Sequence, residues 1–172
     1  LTIIGAGPLL YEALLTAEIL SKDHGIECRV INMHTIKPAD TAIIVKAAKE
    51  TGAIVTVEEA QVSGGLAGLV AETLALSVPV PMERIGIQDC FGESGNPREL
   101  QEGFGLTATY IALAADRVLQ RKLGSRVPIN PAHIVLSQER FQAMKKQILD
   151  EAIARAPKKW GGRKADSSLK SR

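Results

Sequence analysis

The sequence predicts an α/β fold in which helices and a sheet pack in layers, and three observations predict it. Short runs rich in Ile and Val alternate with longer stretches whose apolar residues recur every three to four positions. Gly, Pro, Asn and Asp stand at the junctions between them. Alternation of this kind leads to a layered sandwich, because each amphipathic helix needs a sheet face to cover.

Residues 1–6 form a short apolar run closed by Gly5-Ala6-Gly7-Pro8, a strand ending in a turn. Over residues 9–21, Leu10, Leu14, Ala17 and Leu20 mark an amphipathic helix; Pro8 suits its first turn and Gly25 closes it. Residues 26–32 are a second strand. A helix over 41–50 follows, opened by Asp40 as N-cap and ended by Gly52. Residues 53–57 are a third, β-branched strand with Glu58 and Glu59 just beyond it. Ser63-Gly64-Gly65 leads into a helix over 66–76. Residues 84–87 make a fourth strand, 89–96 a Gly-rich loop, 97–104 a short helix and 107–121 a longer one. At least four strands are visible, and a fifth is left open.

After Lys122 the pattern breaks. Gly124, Ser125, Pro128 and Pro131 make residues 123–136 a linker. Ser137 caps a predicted helix over 137–156, whose stripe of Phe141, Met144, Ile148 and Ala152 is expected to dock on the main domain, the alternative being a partner. Residues 157–172, with Lys158, Lys159, Arg163, Lys164, Lys170 and Arg172 against Asp166, read as a basic, disordered tail.

The bulk numbers narrow the function. A chain of 172 residues with 45 % hydrophobic residues fits one domain with an appendage. Aromatics are only 3 %, too few for a stacking surface that binds single-stranded nucleic acid. The net charge of +2 is unevenly spread: residues 1–123 hold 10 Lys+Arg against 15 Asp+Glu, and residues 124–172 hold 11 against 4. Such a split points to different roles for the two parts, or to a solvated tail. Cys28 and Cys90 lack metal-ligand or CxxC spacing, and no signal peptide is visible, so reduced thiols and a cytoplasmic location are expected. The longest apolar run is far short of the ~20 residues of a membrane span. The chain starts at Leu1, directly in a strand, and reads as a fragment or excised domain.

Several residues invite a chemical reading. The Gly5-Ala6-Gly7 turn between strand and helix resembles a phosphate cradle, where backbone N–H groups and the helix dipole hold an anion. Leu10, however, stands where a dinucleotide fingerprint wants its third Gly, and Pro8 removes a donor. A tight turn with close helix packing is the stronger reading. Glu58 and Glu59 lie beside Gly64-Gly65 at the strand edge that ligands favour in open α/β sheets. A carboxylate there either bonds the following helix N-terminus or contacts another domain. Asp89, Glu93 and Ser94 have no neighbouring His to form a base–nucleophile pair. His34 and His133 share no ligand spacing, so no metal site is expected. Lys37 precedes Pro38 in a loop, placed for a salt bridge or an interface contact.

Four blocks in register carry a family resemblance. They are Leu1-Thr-Ile-Ile-Gly-Ala-Gly-Pro with Glu12-Ala13 and Ala17-Glu18-Ile19-Leu20; Thr35-Ile36-Lys37-Pro38-Ala39-Asp40; Val57-Glu58-Glu59 with Ser63-Gly64-Gly65-Leu66-Ala67; and Arg84 to Gly95, followed by Pro97, Glu99-Leu100 and Phe104-Gly105-Leu106-Thr107-Ala108. Together they resemble the C-terminal domain shared by transketolases, deoxyxylulose-phosphate synthases and the β subunits of 2-oxoacid dehydrogenases. The run Phe91-Gly92-Glu93-Ser94-Gly95 with Phe104-Gly105-Leu106-Thr107 is most similar to transketolase, especially the C-terminal half of split transketolases. Ala39 and Ala67 depart from the Leu and Gly often found there. The resemblance covers residues 1–122.

The resemblance implies a three-layer α/β/α sandwich on a five-stranded, mostly parallel sheet with one antiparallel edge strand. It implies the C-terminal, assembly-supporting domain of a transketolase that moves a two-carbon ketol unit between sugar phosphates with thiamine diphosphate and a divalent metal (Mg). The diphosphate motif that starts Gly-Asp-Gly is missing from this sequence. The chain alone is therefore expected to bind no cofactor and to contribute no catalytic residue. It would work with cofactor-binding domains of the same enzyme or of a partner subunit, in a homo- or hetero-oligomer. The candidate interface or anion contacts are Gly5, Gly7, Lys37, Glu59, Gly64 and Gly65. The other readings are the equivalent domain of the synthase or dehydrogenase, and a stand-alone interaction module whose basic tail binds by charge.

Overall fold

The central strand β1 (Thr2–Ala6) is buried along almost its whole length, because its side chains are apolar towards both faces. The structure, a computed structural model, describes residues 1–124; the linker, helix and tail expected between 123 and 172 lie, apart from their first two residues, outside the described residues. After β1, a single 3-10 turn (Gly7–Leu9) leads into α1 (Leu10–His24), and Gly25 ends that helix in the left-handed conformation. There follow β2 (Arg29–Asn32), α2 (Thr41–Thr51), β3 (Ile54–Gln61), α3 (Leu66–Ala75), β4 (Met82–Ile87), α4 (Pro97–Gly103) and α5 (Ala108–Leu123). Asp40 caps α2 by accepting a hydrogen bond from the Ile43 N–H at 3.0 Å, as the sequence predicts.

The four strands run parallel in the order β2-β1-β3-β4. This order dictates the layers. Stepping from β1 to β2 moves one way along the sheet, and stepping from β2 past β1 to β3 moves the other way. Right-handed crossovers then place α1 on one face and α2 and α3 on the opposite face. The packing follows: Leu9, Ala13 and Leu20 join Ile111, Ala115 and Val118 of α5 over Ile3, Val55 and Val57. On the other face Ile44, Ala47 and Ala48 join Leu66, Val70 and Leu74 over Ile4 and Ile54. The three-layer α/β/α sandwich is thus present, with Leu, Ile, Val and Ala filling both cores.

The expectation of a five-stranded mixed sheet is corrected. Among the described residues the sheet has four strands, all parallel; β2 pairs only with β1, and β4 only with β3. No further described segment joins the sheet: the one long connection, residues 88–96, is broken by Asp89 at φ 52 and runs straight into the Asn96-capped helix α4. The free edge of β4 is guarded in the usual ways. Arg121 donates to the Met82 carbonyl at 2.6 Å and Gln88 to the Gly86 carbonyl at 2.9 Å, while Arg84 adds an exposed charge.

Two further departures concern side chains. Leu14, expected on the buried stripe of α1, is 53 % exposed, while Glu12 and Thr16 are buried. The helix carries apolar residues on most of its circumference, so spacing alone chose the wrong stripe. Strand β3 also runs past Val57 to Gln61, which takes Glu58 and Glu59 into the strand. In helix α3, Gly68 has open space around the position of a missing Cβ. Gly68→Ala is expected to raise stability by about 0.5–1 kcal/mol through helix propensity, read as a higher urea midpoint with unchanged m.

Candidate functional site

In an open parallel sheet the place for ligands is the carboxyl edge, at the switch point where neighbouring strands send their helices to opposite faces. Here that point lies between β1 and β3, where Ala6 is the register partner of Glu58. The candidate residues Gly5, Gly7, Glu59, Gly64 and Gly65 belong to the ends of these two strands and the turns after them. Lys37 is exposed on the β2–α2 connection, in a cis Lys37–Pro38 peptide.

Glu58 decides the character of this edge. The β3–β4 register shifts between the Val57–Ile85 pair and the Gln61–Ile87 pair, so β3 bulges over Glu58, Glu59 and Ala60. The bulge turns Glu58 inward, to 5 % exposure, and leaves Glu59 in solvent. Helix α3 has no cap from its own N-cap residue, Gly65. Glu58 supplies one from the neighbouring strand: Oε2 accepts from Leu66 N–H at 2.8 Å and Oε1 from Ala67 N–H at 2.9 Å. Of the two glutamates it is Glu58 that bonds the helix, while Glu59 faces outward. Gly65 is what makes room, since a Cβ there would sit 2.1 Å from Glu58 Oε2. Gly64 precedes it at φ 84, a conformation that favours glycine.

A second buried glutamate, absent from the candidates drawn from the sequence, repeats the device. Glu12 on α1 is 4 % exposed. Its Oε2 accepts from the Ala108 N–H at 2.8 Å, capping α5, whose N-cap Thr107 makes no side-chain bond of its own. Its Oε1 accepts from Arg98 Nη1 on α4 at 2.9 Å. Thr16 closes the cluster by donating to the Glu12 and Ala108 carbonyls at 2.8 and 3.2 Å. A signal was present: Glu12 is an acid among apolar residues of α1, a position where burial demands a partner.

These contacts limit the chemistry. The N-termini of α3 and α5 are natural anion cradles, yet each already holds a carboxylate of the chain itself. In the turn after β1 a Cβ at Gly5 would lie 3.3 Å from Leu10 Cδ1, while Gly7, at φ 73, has open space around it. Among the described residues no group of three His, Cys, Asp or Glu side chains could hold a metal ion. His34 pairs through Nδ1 with Thr35 Oγ1 at 2.7 Å. Both cysteines are free, and burial pushes the Cys28 thiol up to about 11, which keeps it un-ionised at neutral pH. No described helix is long and apolar enough to cross a membrane.

Residues 1–111 match the family described as the transketolase C-terminal domain. The chain belongs to that family. Over 121 residues this transketolase C-terminal domain is 48 % identical to a 6-deoxy-6-sulfo-D-fructose transketolase subunit, SqwH, of Clostridium sp. (strain MSTE9), covering 70 % of the chain and 37 % of that protein. It is 47 % identical over 119 residues to a 1-deoxy-D-xylulose-5-phosphate synthase of Trichormus variabilis, covering 69 % of the chain and 18 % of that protein. A split-gene transketolase, solved as an inactive β4 tetramer, is 41 % identical with a TM-score of 0.68, over 70 % of this chain and 39 % of that one. The domain thus spans well under half the length of these relatives. All four blocks read from the sequence lie within residues 1–111, the stretch that matches the family.

Proposed function

We propose that this chain is the C-terminal, assembly-supporting part of a transketolase, which moves a two-carbon ketol unit between sugar phosphates. The observation that carries the reading is the 48 % identity to a transketolase subunit over 121 residues. In this reading thiamine diphosphate and its magnesium ion sit on cofactor-binding domains of the same enzyme or of a partner subunit. The cofactor supplies the carbanion chemistry, and this domain contributes shape and contacts. The N-termini of α3 and α5, each already holding a carboxylate of this chain, support that division of labour. The exposed residues Gly7, Lys37, Glu59 and Gly64, with Gly5 and Gly65 shaping the turns, serve as interface or anion contacts along the carboxyl edge. The protein works as a homo- or hetero-oligomer in the cytoplasm, in carbohydrate metabolism of the pentose phosphate type. The inactivity of the β4 tetramer formed by the split-gene relative fits a chain that needs a partner.

Co-expression with a chain carrying the two cofactor-binding domains tests the proposal. A stable complex with ketol transfer from a ketose phosphate to an aldose phosphate is expected, and neither chain alone turns over. Failure to form a complex, or a complex without transfer, overturns it. A second reading, the same domain in a 1-deoxy-D-xylulose-5-phosphate synthase, is favoured by the 47 % identity to the Trichormus enzyme. Decarboxylation of pyruvate by the complex, in place of ketol transfer, would select that reading.

A further inference from the structure

The loop between β4 and α4 is exposed along its length and yet pinned at both roots. Every residue from Gln88 to Glu99 is exposed, and Phe91 at the tip is 97 % exposed. A benzyl side chain in water gains nothing for the fold. The loop is nevertheless held by specific bonds. At its first root the Gln61 side chain uses both ends of its amide, donating from Nε2 to the Cys90 carbonyl at 2.8 Å and accepting at Oε1 from Asp89 N–H at 3.1 Å. Asp89 N–H also reaches the Ile87 carbonyl at 3.1 Å, with Asp89 in the left-handed region at φ 52. At its second root Asn96 caps α4 through Arg98 N–H at 2.9 Å, and the Arg98 guanidinium is tied to buried Glu12. Helix α4 has no fully buried residue, and these polar ties add to the partial packing of Leu100 and Phe104.

Ordering an exposed glutamine and a left-handed aspartate costs entropy and strain, and the packing of this domain recovers none of it. A partner would recover it. A pre-ordered loop binds without a further ordering penalty, and an aromatic side chain at its tip supplies the largest contact area per residue. The charges around Phe91 state what the partner looks like. The carboxylates of Asp89, Glu93 and Glu99 make no hydrogen bond or ion pair among the described residues, so the rim of this knob is acidic. The complementary surface is an apolar pocket with a basic rim.

We infer that the Asp89–Gly95 loop is a docking element whose Phe91 inserts into an apolar, basic-rimmed pocket on the cofactor-bearing chain or domains. The inference rests on the assembly proposed above and names the contact through which it forms. The acidic rim steers the approach, Phe91 anchors it, and Gln61 acts as a positioning residue that keeps the anchor presented.

The test uses the full chain and the thiamine-diphosphate-loaded chain carrying the two cofactor-binding domains, with binding followed by calorimetry and by association kinetics. Phe91→Ala is expected to weaken the complex by about 10–100-fold, mostly through faster dissociation, with unchanged thermal unfolding of the chain itself. Glu93→Lys is expected to slow association and flatten its dependence on salt. Gln61→Ala should weaken binding by about 3–10-fold, the cost of reordering the loop at each encounter. If the unaltered chains do not bind, the assembly proposal falls and this inference with it. If they bind and Phe91→Ala binds as tightly, this inference alone is overturned. If Phe91→Ala leaves partner affinity intact but dissociates an oligomer of this chain in light scattering, the pocket lies on a second copy and the partner named here is wrong.

Discussion

Replacing Gly65 by alanine is expected to destabilise the domain by about 2–4 kcal/mol, measured as a lower urea midpoint. The new Cβ would fall 2.1 Å from Glu58 Oε2 and 2.8 Å from its Cδ. The carboxylate has to swing away, and both N–H groups it accepts from, on Leu66 and Ala67, then lose their partner. A hydrogen bond to a charged group contributes about 1.5–3 kcal/mol, and a carboxylate at a helix N-terminus adds about 0.3–1 kcal/mol through the dipole. Partial rehydration of the released groups brings the sum down to the stated range. A double-mutant cycle isolates the cause. With Glu58→Ala already in place the clash has gone, so adding Gly65→Ala should cost less than about 1 kcal/mol. Additive losses in the cycle would show that Gly65 is required for its backbone conformation and that the clash is secondary.

Glu12→Ala is expected to have an effect of the same size, about 2–4 kcal/mol, by a different route. Truncation leaves Ala108 N–H at the start of α5 without its acceptor and removes the buried one of the acidic partners of Arg98, leaving Glu102. Losing one side of a fully buried pair costs about 3–5 kcal/mol, and the figure is lower here because Arg98 is partly exposed and can turn to water. Glu12→Gln keeps an oxygen for Ala108 N–H and gives up the charge, so about half the loss is expected. Amide exchange adds a local readout. Ala108 and the first turn of α5 should lose protection in Glu12→Ala and keep it in Glu12→Gln. Uniform loss of protection across α5 in both variants would contradict the capping role.

Much of this architecture is legible along the chain. The helix over 41–50 is bounded in the sequence by Asp40 and Gly52, and both perform the expected capping. The Gly5–Gly7 turn, read as close packing, has Leu10 against Gly5. Such features are local: a cap, a left-handed glycine or a period of 3.6 is written within a few neighbouring residues. The misses have the opposite character. Leu14 is exposed because the sheet meets a different side of α1 from the one its leucines suggest. Strand β3 continues to Gln61 because β4 pairs with it across a bulge, an event decided by a segment over twenty residues away.

The order of the elements, the layered α/β class and the family of the domain are therefore written in the chain itself. They depend on periodicity, turn chemistry and blocks of residues in register, all of which survive without coordinates. Which carboxylates matter is settled only by the packed molecule. Glu58 and Glu59 are adjacent and alike in the sequence, and a bulge buries one and exposes the other. Glu12 meets Ala108 and Arg98 only because α1 and α5 share a sheet face. A buried charge is tolerated where backbone donors converge on it, and that convergence is a property of packing between elements distant in the chain.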